Sequence, residues 1–451
     1  MRRVSMIIGF LSLILQHTAG QETYDFNRYN SETYRLYLEE KWDSLVRLGK
    51  AALNKEIDYY YLRMRLGIAY YHKKNFRVAA IHFKRALEMN HQDPAATEYL
   101  YYARVMAGQE AQAGAMRKQF RGELAMRLPA EKGRFFKRTG AEYLYAFSDF
   151  TKPDDIPGDF YGLPAGALTV PIHISNLALY LENQITPGIS LNHAYSYLTK
   201  DNYYYINDGA GVFYIMDRQH VVQHQYYFSP HFTTGSGLTL MPMLHLVSAY
   251  YQGIVASGGG GYMGGAGMTT VGYVNDTDLA GGMTLVKNWR RTDLSAGASY
   301  ANLNHVHQFQ GRLGVTWYPL GNLNLYAGAG LSGQREWSEP GSVTRWIPDI
   351  KAGLALAEKV WIEAEVLIGE MRNFLEGNGS VVYNGYSDII DRKARLSILI
   401  PVTRKGSLIY LGSRWSSGYN AFIPDDSLLP GKEHFFDIQI LSIYGGISWK
   451  F

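Results

Sequence analysis

The chain has 451 residues, with 47 Gly, 36 Tyr and no Cys, and charged side chains make up only 19% of it. That length suits two or three domains, and the lack of Cys excludes both disulfides and a lipid-modified N-terminal Cys. A mean hydropathy of −0.19, with no long apolar run after residue 20, argues against membrane helices but not against a barrel, in which only every second residue meets lipid.

The N-terminus, Met1-Arg2-Arg3 and then an apolar run from Met6 to Leu15 ahead of small residues at Ala19-Gly20, reads as a secretory signal peptide over residues 1–20. An uncleaved anchor is the alternative, disfavoured by the brevity of the apolar run. Net charge then divides along the chain. Residues 21–138 hold 22 bases and 14 acids, whereas the remainder holds 20 bases and 26 acids. A basic arm ahead of an acidic domain marks a boundary and suggests different partners for each.

From about Asn30 to Ala113 apolar residues recur at three and four, the helical period. Leu66-Gly67, Tyr70, Ala79, Phe83 and Ala86 fall at the spacings of a tetratricopeptide repeat, and a shift of 34 residues pairs Phe76 with Trp42, Ala86 with Ala52 and Leu87 with Leu53. Arg63, Pro94 and Arg104 depart from that pattern, so an unrelated array of helical hairpins stays open. Residues 21–115 are expected to form a periplasmic helical domain that binds a protein partner, since such arrays present a surface rather than chemistry. Tyr59, Tyr61, Tyr99 and Tyr102 are the candidates for that surface, with core packing as the alternative for most of them.

Residues 116–138 form a basic linker, with Arg117-Lys118 and Lys132 to Arg138 interleaved with Phe. In an exported chain this composition fits a membrane rim with anionic headgroups better than nucleic acid, and no nucleic-acid partner is expected.

After Gly140 the period becomes two. Val360, Ile362, Ala364, Val366 and Ile368 alternate with Trp361, Glu363, Glu365 and Leu367. Ala394, Leu396, Ile398, Ile400 and Val402 alternate with Lys393, Arg395, Ser397 and Leu399. If these two strands are neighbours, Glu363 and Glu365 meet Lys393 and Arg395 inside a lumen. Compact turns at 186–188, 233–237, 319–322, 358–359 and 403–406 alternate with longer connections at 151–170, 199–216, 251–274, 336–344, 372–388 and 420–433. Short turns at one end and long loops at the other predict a closed antiparallel transmembrane β-barrel over residues 139–451, of about 14 strands (12 to 16). Pro242 interrupts a strand, and an apparent phase change between Ile440 and Leu441 suggests a bulge.

The last residues, Leu441 to Phe451, alternate apolar and polar and end on an aromatic, so they read as the closing strand, paired with the strand that begins near Gly140. Arg312, Tyr318, Tyr326, Glu363, Glu365, Lys393, Arg395 and Tyr410 are expected to line the lumen, with a hydrogen-bonded plug as the alternative role.

No spacing selects a catalytic set. The glycines at 258–261 lack a following Lys-Ser or Lys-Thr, so no phosphate loop and no cofactor is expected. His305 and His307 share a strand face without an evident third metal ligand.

A signal peptide, tetratricopeptide-like helices and a barrel ending in Phe together resemble the exopolysaccharide-export porins and the smaller YaiO-type outer-membrane barrels. The resemblance implies an α+β multidomain protein of the Gram-negative outer membrane, its helical domain in the periplasm, and Trp449 and Phe451 as the signal read by the barrel-assembly machinery. It implies a channel or translocation component, with polysaccharide among the candidate cargoes, outer-membrane lipid around the barrel and a periplasmic protein partner. A non-transporting anchor or assembly scaffold is the second reading, and an outer-membrane enzyme the third.

Overall fold

The structure, a computed structural model, describes residues 25–117, 120–128, 135–150, 166–207, 213–256, 269–338, 341–356, 359–385, 388–403, 406–424 and 434–451. The signal peptide, the glycine run at 258–261 and part of the basic linker lie outside them. Two compact units result, one helical and one a barrel.

The helical unit runs α1 (25–38), α2 (Trp42–Asn54), α3 (Tyr60–His72), α4 (Phe76–Met89), α5 (Pro94–Met106), α6 (Glu110–Met116) and α7 (Gly122–Arg127). Two starts are fixed by side-chain caps. Asn75 accepts the Val78 amide at 3.4 Å, and Asp93 accepts the Ala96 amide at 2.6 Å. Pro94 occupies the first position of α5, where a backbone N–H has no helical partner to lose. Leu45, Leu62, Leu66, Phe83 and Leu100 form the core. α3 and α4 approach closely at Gly67, where a Cβ would lie 2.5 Å from the Phe83 ring.

His82 is buried in this unit, stacked at 5.3 Å on Tyr70 and 3.3 Å from the Arg63 guanidinium, which is itself paired with Asp58 at 2.6 Å. Burial, and secondarily Arg63, push its pKa down to about 4.

The barrel strands are β1 (Phe136–Ser148), β2 (Gly166–Thr186), β3 (Ile189–Asn207), β4 (Phe213–Thr233), β5 (Leu238–Ala256), β6 (Thr269–Trp289) and β7 (Thr292–Leu303). They continue with β8 (Val306–Trp317), β9 (Leu325–Ser338), β10 (Gly341–Leu356) and β11 (Val360–Ile368), then a short pair β12 (Phe374–Glu376) and β13 (Val381–Tyr383). β14 (Asp388–Pro401), β15 (Leu408–Pro424) and β16 (His434–Lys450) complete the chain. Fourteen of these close into one antiparallel barrel, and β12–β13 form a separate two-stranded sheet. β1 pairs with both β2 and β16, so the first and last barrel strands are neighbours, as the terminal sequence predicts.

The strand ends that flank the five compact turns predicted from sequence lie at the end of the barrel where β16 finishes. Several connections read as long are shorter, because their flanks continue as strand: β3 reaches Asn207, β5 reaches Ala256, and only two residues separate β9 from β10. Tyr and Val in those flanks favour extended backbone, and Tyr250 stacks on Tyr273 across β5 and β6 at 5.1 Å. His305 lies in the turn between β7 and β8 with φ 61°, so it does not share a strand face with His307. Pro242 sits in β5 where the ladder to β4 skips from Phe228↔Leu244 to Phe232↔Leu240; Pro230 lies in the skipped part of β4, so two amide donors are missing there.

The expected bulge at Ile440 is absent. The ladders to β1 and β15 run through Ile440 and Leu441 without a register shift. Ile438 and Ile440 point inward instead, into an apolar cluster with Leu144, Leu168, Val170 and Tyr444. An inward apolar pair had mimicked a change of phase.

Alternation sorts the wall. Leu313, Ile350 and Ile443 point outward, each more than half exposed, while Gln310, Asp349 and Ser442 point inward and are buried. Phe232, Trp289, Trp317 and Trp449 face outward near the Phe451 end, and Tyr250, Tyr273, Tyr300 and Trp337 near the other. An apolar outer band between aromatic girdles around a polar interior is the wall of an outer-membrane-type barrel. In water the same band would be an aggregation surface.

Two outcomes are expected. Ile443→Arg puts a charge on the lipid face about midway along β16 and should cost roughly 2–4 kcal/mol in denaturant unfolding from bilayers, whereas Ser442→Ala should cost far less. For His82, the unfolded state binds the proton first, so stability of the helices falls as pH drops from about 6.5 to about 4, by roughly 3 kcal/mol in total. Thermal melts followed at 222 nm should show this loss, and His82→Gln should flatten it.

Candidate functional site

β11 does not continue into an external loop. After Ile368 the chain turns at Gly369, whose φ of +120° suits no other residue and whose absent Cβ would meet the Trp346 carbonyl at 2.6 Å. The Met371 amide donates to the Ile390 carbonyl at 2.7 Å, and residues 371–385 fold back into the lumen as the β12–β13 hairpin. Of the connection at 372–388, expected outside, the described residues 372–385 are therefore inside. Its apolar residues explain why: Met371 and Phe374 pack with Ile347 and Leu367, and Leu375 packs with Met243, Ala301 and Leu303. Gly377, Asn378 and Gly379, all with positive φ, make the tip.

Polar wall residues pin the hairpin backbone. Gln310 forms a two-way amide pair, Nε2 donating to the Leu375 carbonyl at 2.6 Å and Oε1 accepting its amide at 3.1 Å. His245 Nδ1 lies 2.7 Å from the Gly379 carbonyl, and Gln334 donates to the Arg372 carbonyl at 2.8 Å. Asn373 donates to Glu336 at 2.9 Å; Glu336 also takes Arg345, which reaches Glu370 at 2.7 Å. Lys393 donates to both carboxylate oxygens of Glu376, at 2.7 and 2.5 Å. A neutral bond of this kind contributes about 1 kcal/mol net and a charged one about 1.5–3, so together they hold the hairpin firmly.

The lumen candidates fall as follows. Glu365 pairs with Arg395 at 2.8 Å across β11 and β14, which are neighbours. Glu363 accepts the Tyr326 hydroxyl at 2.5 Å rather than a base, and Tyr318 lies 6.0 Å from the Tyr326 ring. Arg312 pairs with Asp349 at 2.6 Å. Lys393 turns to the hairpin instead of the wall acids, because Leu367 and not a carboxylate stands opposite it. Tyr410 packs against the apolar cluster beside Tyr444.

Of the helical candidates, Tyr61 and Tyr102 are exposed. Tyr59 is tied to Asn30 at 3.1 Å and Tyr99 stacks on Phe83 at 5.1 Å, so both belong to the packing of the helices. Trp449 and Phe451 are both outward, and the Phe451 amide donates to the Lys137 carbonyl at 3.1 Å.

No family model matches the chain, and no curated protein matches it. Solved structures do resemble it in form. The toluene transporter TodX of P. putida is 10% identical with a TM-score of 0.45, covering 74% of this chain and 95% of its own. A Pseudomonas aeruginosa FadL homologue is 8% identical with a TM-score of 0.40, covering 69% and 89%. The Ralstonia pickettii toluene transporter TbuX is 9% identical with a TM-score of 0.40, covering 73% and 94%.

Gln310, Gln334, Glu336, Arg345 and Glu376 were not among the sequence candidates. The available signal was Phe374-Leu375, an apolar pair in a connection otherwise read as solvent-facing. Among the described residues no group of three His, Asp or Glu is arranged to hold a metal ion. On the outer face, Asp201 stands between His173 at 3.0 Å and His220 at 2.5 Å.

Gln310→Ala should loosen the hairpin without disturbing the wall. It removes both bonds to Leu375, and hydrogen exchange of the Leu375 amide should accelerate by about tenfold or more, while Leu313 on the same strand stays protected.

Proposed function

We propose that the protein is an outer-membrane translocation component whose lumen is the path and whose β12–β13 hairpin keeps it closed. The observation that carries this reading is the chemistry of the hairpin's seat. The wall offers amides and an imidazole to the hairpin backbone, and a carboxylate and an ammonium to its side chains; water or a polar cargo satisfies the amides and imidazole when the hairpin leaves, and an anion the ammonium. Beyond the hairpin, Arg312–Asp349, Arg395–Glu365 and Tyr326–Glu363 keep the wall polar. The cargo is a polar envelope solute, polysaccharide included.

In this reading the end carrying Phe451 and the compact turns faces the periplasm, where the helical domain binds a protein partner through exposed side chains such as Tyr61 and Tyr102. Lys137 and Arg138 near the start of β1 pair with Glu182 at 2.6 and 3.8 Å, which leaves headgroup binding to the other linker bases.

A second reading is favoured by the same hairpin: a lumen filled permanently suits a non-transporting anchor that displays the helical domain. Planar bilayers separate the two. The full-length protein should be nearly silent, and a chain with residues 371–385 replaced by a short Gly-Ser linker should conduct. A linker variant that inserts, keeps its barrel circular dichroism and passes no current contradicts the translocation reading and leaves the anchor.

A further inference from the structure

The cations that face the lumen are matched mostly by acids of the wall itself. Arg312 has Asp349 at 2.6 Å, Arg395 has Glu365 at 2.8 Å and Lys200 has Asp388 at 2.8 Å. Lys393 differs. Its carboxylate, Glu376, is carried by the hairpin, and Lys393 is only 3% exposed.

The surroundings of that carboxylate form a built site. Lys393 Nζ donates to both Glu376 oxygens and to the Tyr383 hydroxyl at 3.0 Å, and Tyr383 donates in turn to Glu376 at 2.5 Å. Arg414, directly opposite Arg395 in the β14–β15 ladder, acts electrostatically on the same Tyr383 hydroxyl. Three cations, Lys393, Arg395 and Arg414, therefore face Glu365 and Glu376, with Glu363 on the same face of β11 also acting on Arg395. When the hairpin leaves, Glu376 leaves with it, and three cations remain against the two wall carboxylates Glu363 and Glu365. A buried ammonium stripped of its carboxylate is strongly unfavourable unless another anion replaces it.

We infer that Lys393, Arg395 and Arg414 form a binding site for an anionic oxygen group, carboxylate or phosphate, which Glu376 fills as a tethered occupant while the hairpin is in place. A free anion of this class competes with Glu376 only in the hairpin-out state. That differential affinity shifts the population toward the open lumen. The inference rests on the translocation reading for its consequence, but the site itself does not.

Bilayer recordings of the full-length chain in chloride salts, with inorganic phosphate as the probe, test it. Phosphate should raise the open probability of the wild type. Glu376→Gln, nearly isosteric and uncharged, should open about tenfold or more often without phosphate, the loss of one charged hydrogen bond. Its open state should prefer anions by reversal potential. Adding Lys393→Met should remove both the phosphate response and the preference. Calorimetry supplies a readout free of conductance: Glu376→Gln should bind phosphate, and the double variant should not. Heat-modifiable gel mobility checks that each variant is folded. A hairpin-deleted barrel that conducts with no anion preference, while Glu376→Gln binds no phosphate, overturns the site and spares the translocation reading. A hairpin-deleted barrel that never conducts overturns that reading, and phosphate binding by Glu376→Gln then decides the site alone.

Discussion

The structure depends on the closure of β1 against β16. In lipid every backbone donor and acceptor needs a partner within the protein, and an open sheet edge has none. The ladder from Arg138↔Lys450 to Ser148↔Ile440 supplies those partners without a break. Once the edge is closed, alternation does the rest: each outward position meets acyl chains and each inward one does not, so Leu441 and Ile443 face lipid while Ser442 and Tyr444 face in.

Closing fourteen strands creates a second constraint. A barrel of this size encloses more space than its own side chains fill, so the interior must hold water or protein. Here it holds the β11–β14 connection. That segment carries Met371, Phe374 and Leu375 to satisfy the few apolar patches of the wall, and bare backbone to satisfy Gln310, Gln334 and His245. The opposite side of the lumen is occupied by the wall's own apolar cluster around Leu168, Val170 and Ile438. The filling is thus mixed where the hairpin sits, apolar at Met371, Phe374 and Leu375 and polar along its backbone, and apolar where the wall packs on itself. The polar part of that seat is the kind that water replaces at little cost.

Much of the wall was legible in the sequence, because period-two alternation is local. The closing strand, the compact turns and the meeting of Glu365 with Arg395 follow from alternation plus adjacency. Strand ends were less legible, since Tyr-rich flanks of β3 and β5 look like loop until their cross-strand partners are known. The hairpin left only one trace in the sequence, the apolar pair Phe374-Leu375 in a connection read as external. That Gln310 faces inward is readable from Phe309 and Leu313 beside it; that it meets Leu375, 65 residues away, is a fact of three dimensions. Lys393 shows the same limit, its inward direction evident and its partner not. In the helical unit, Tyr61 and Tyr99 both sit in Tyr-rich stretches, and the packing of Tyr99 on Phe83 and Tyr71 appears only in three dimensions.

The central claim is that the hairpin occupies the lumen of the membrane-embedded protein, and the absence of native Cys makes it directly measurable. Leu375→Cys in liposomes should react with a hydrophilic maleimide about a hundredfold more slowly than Tyr61→Cys, at a rate set by opening of the hairpin. Equal rates at the two positions would contradict the account.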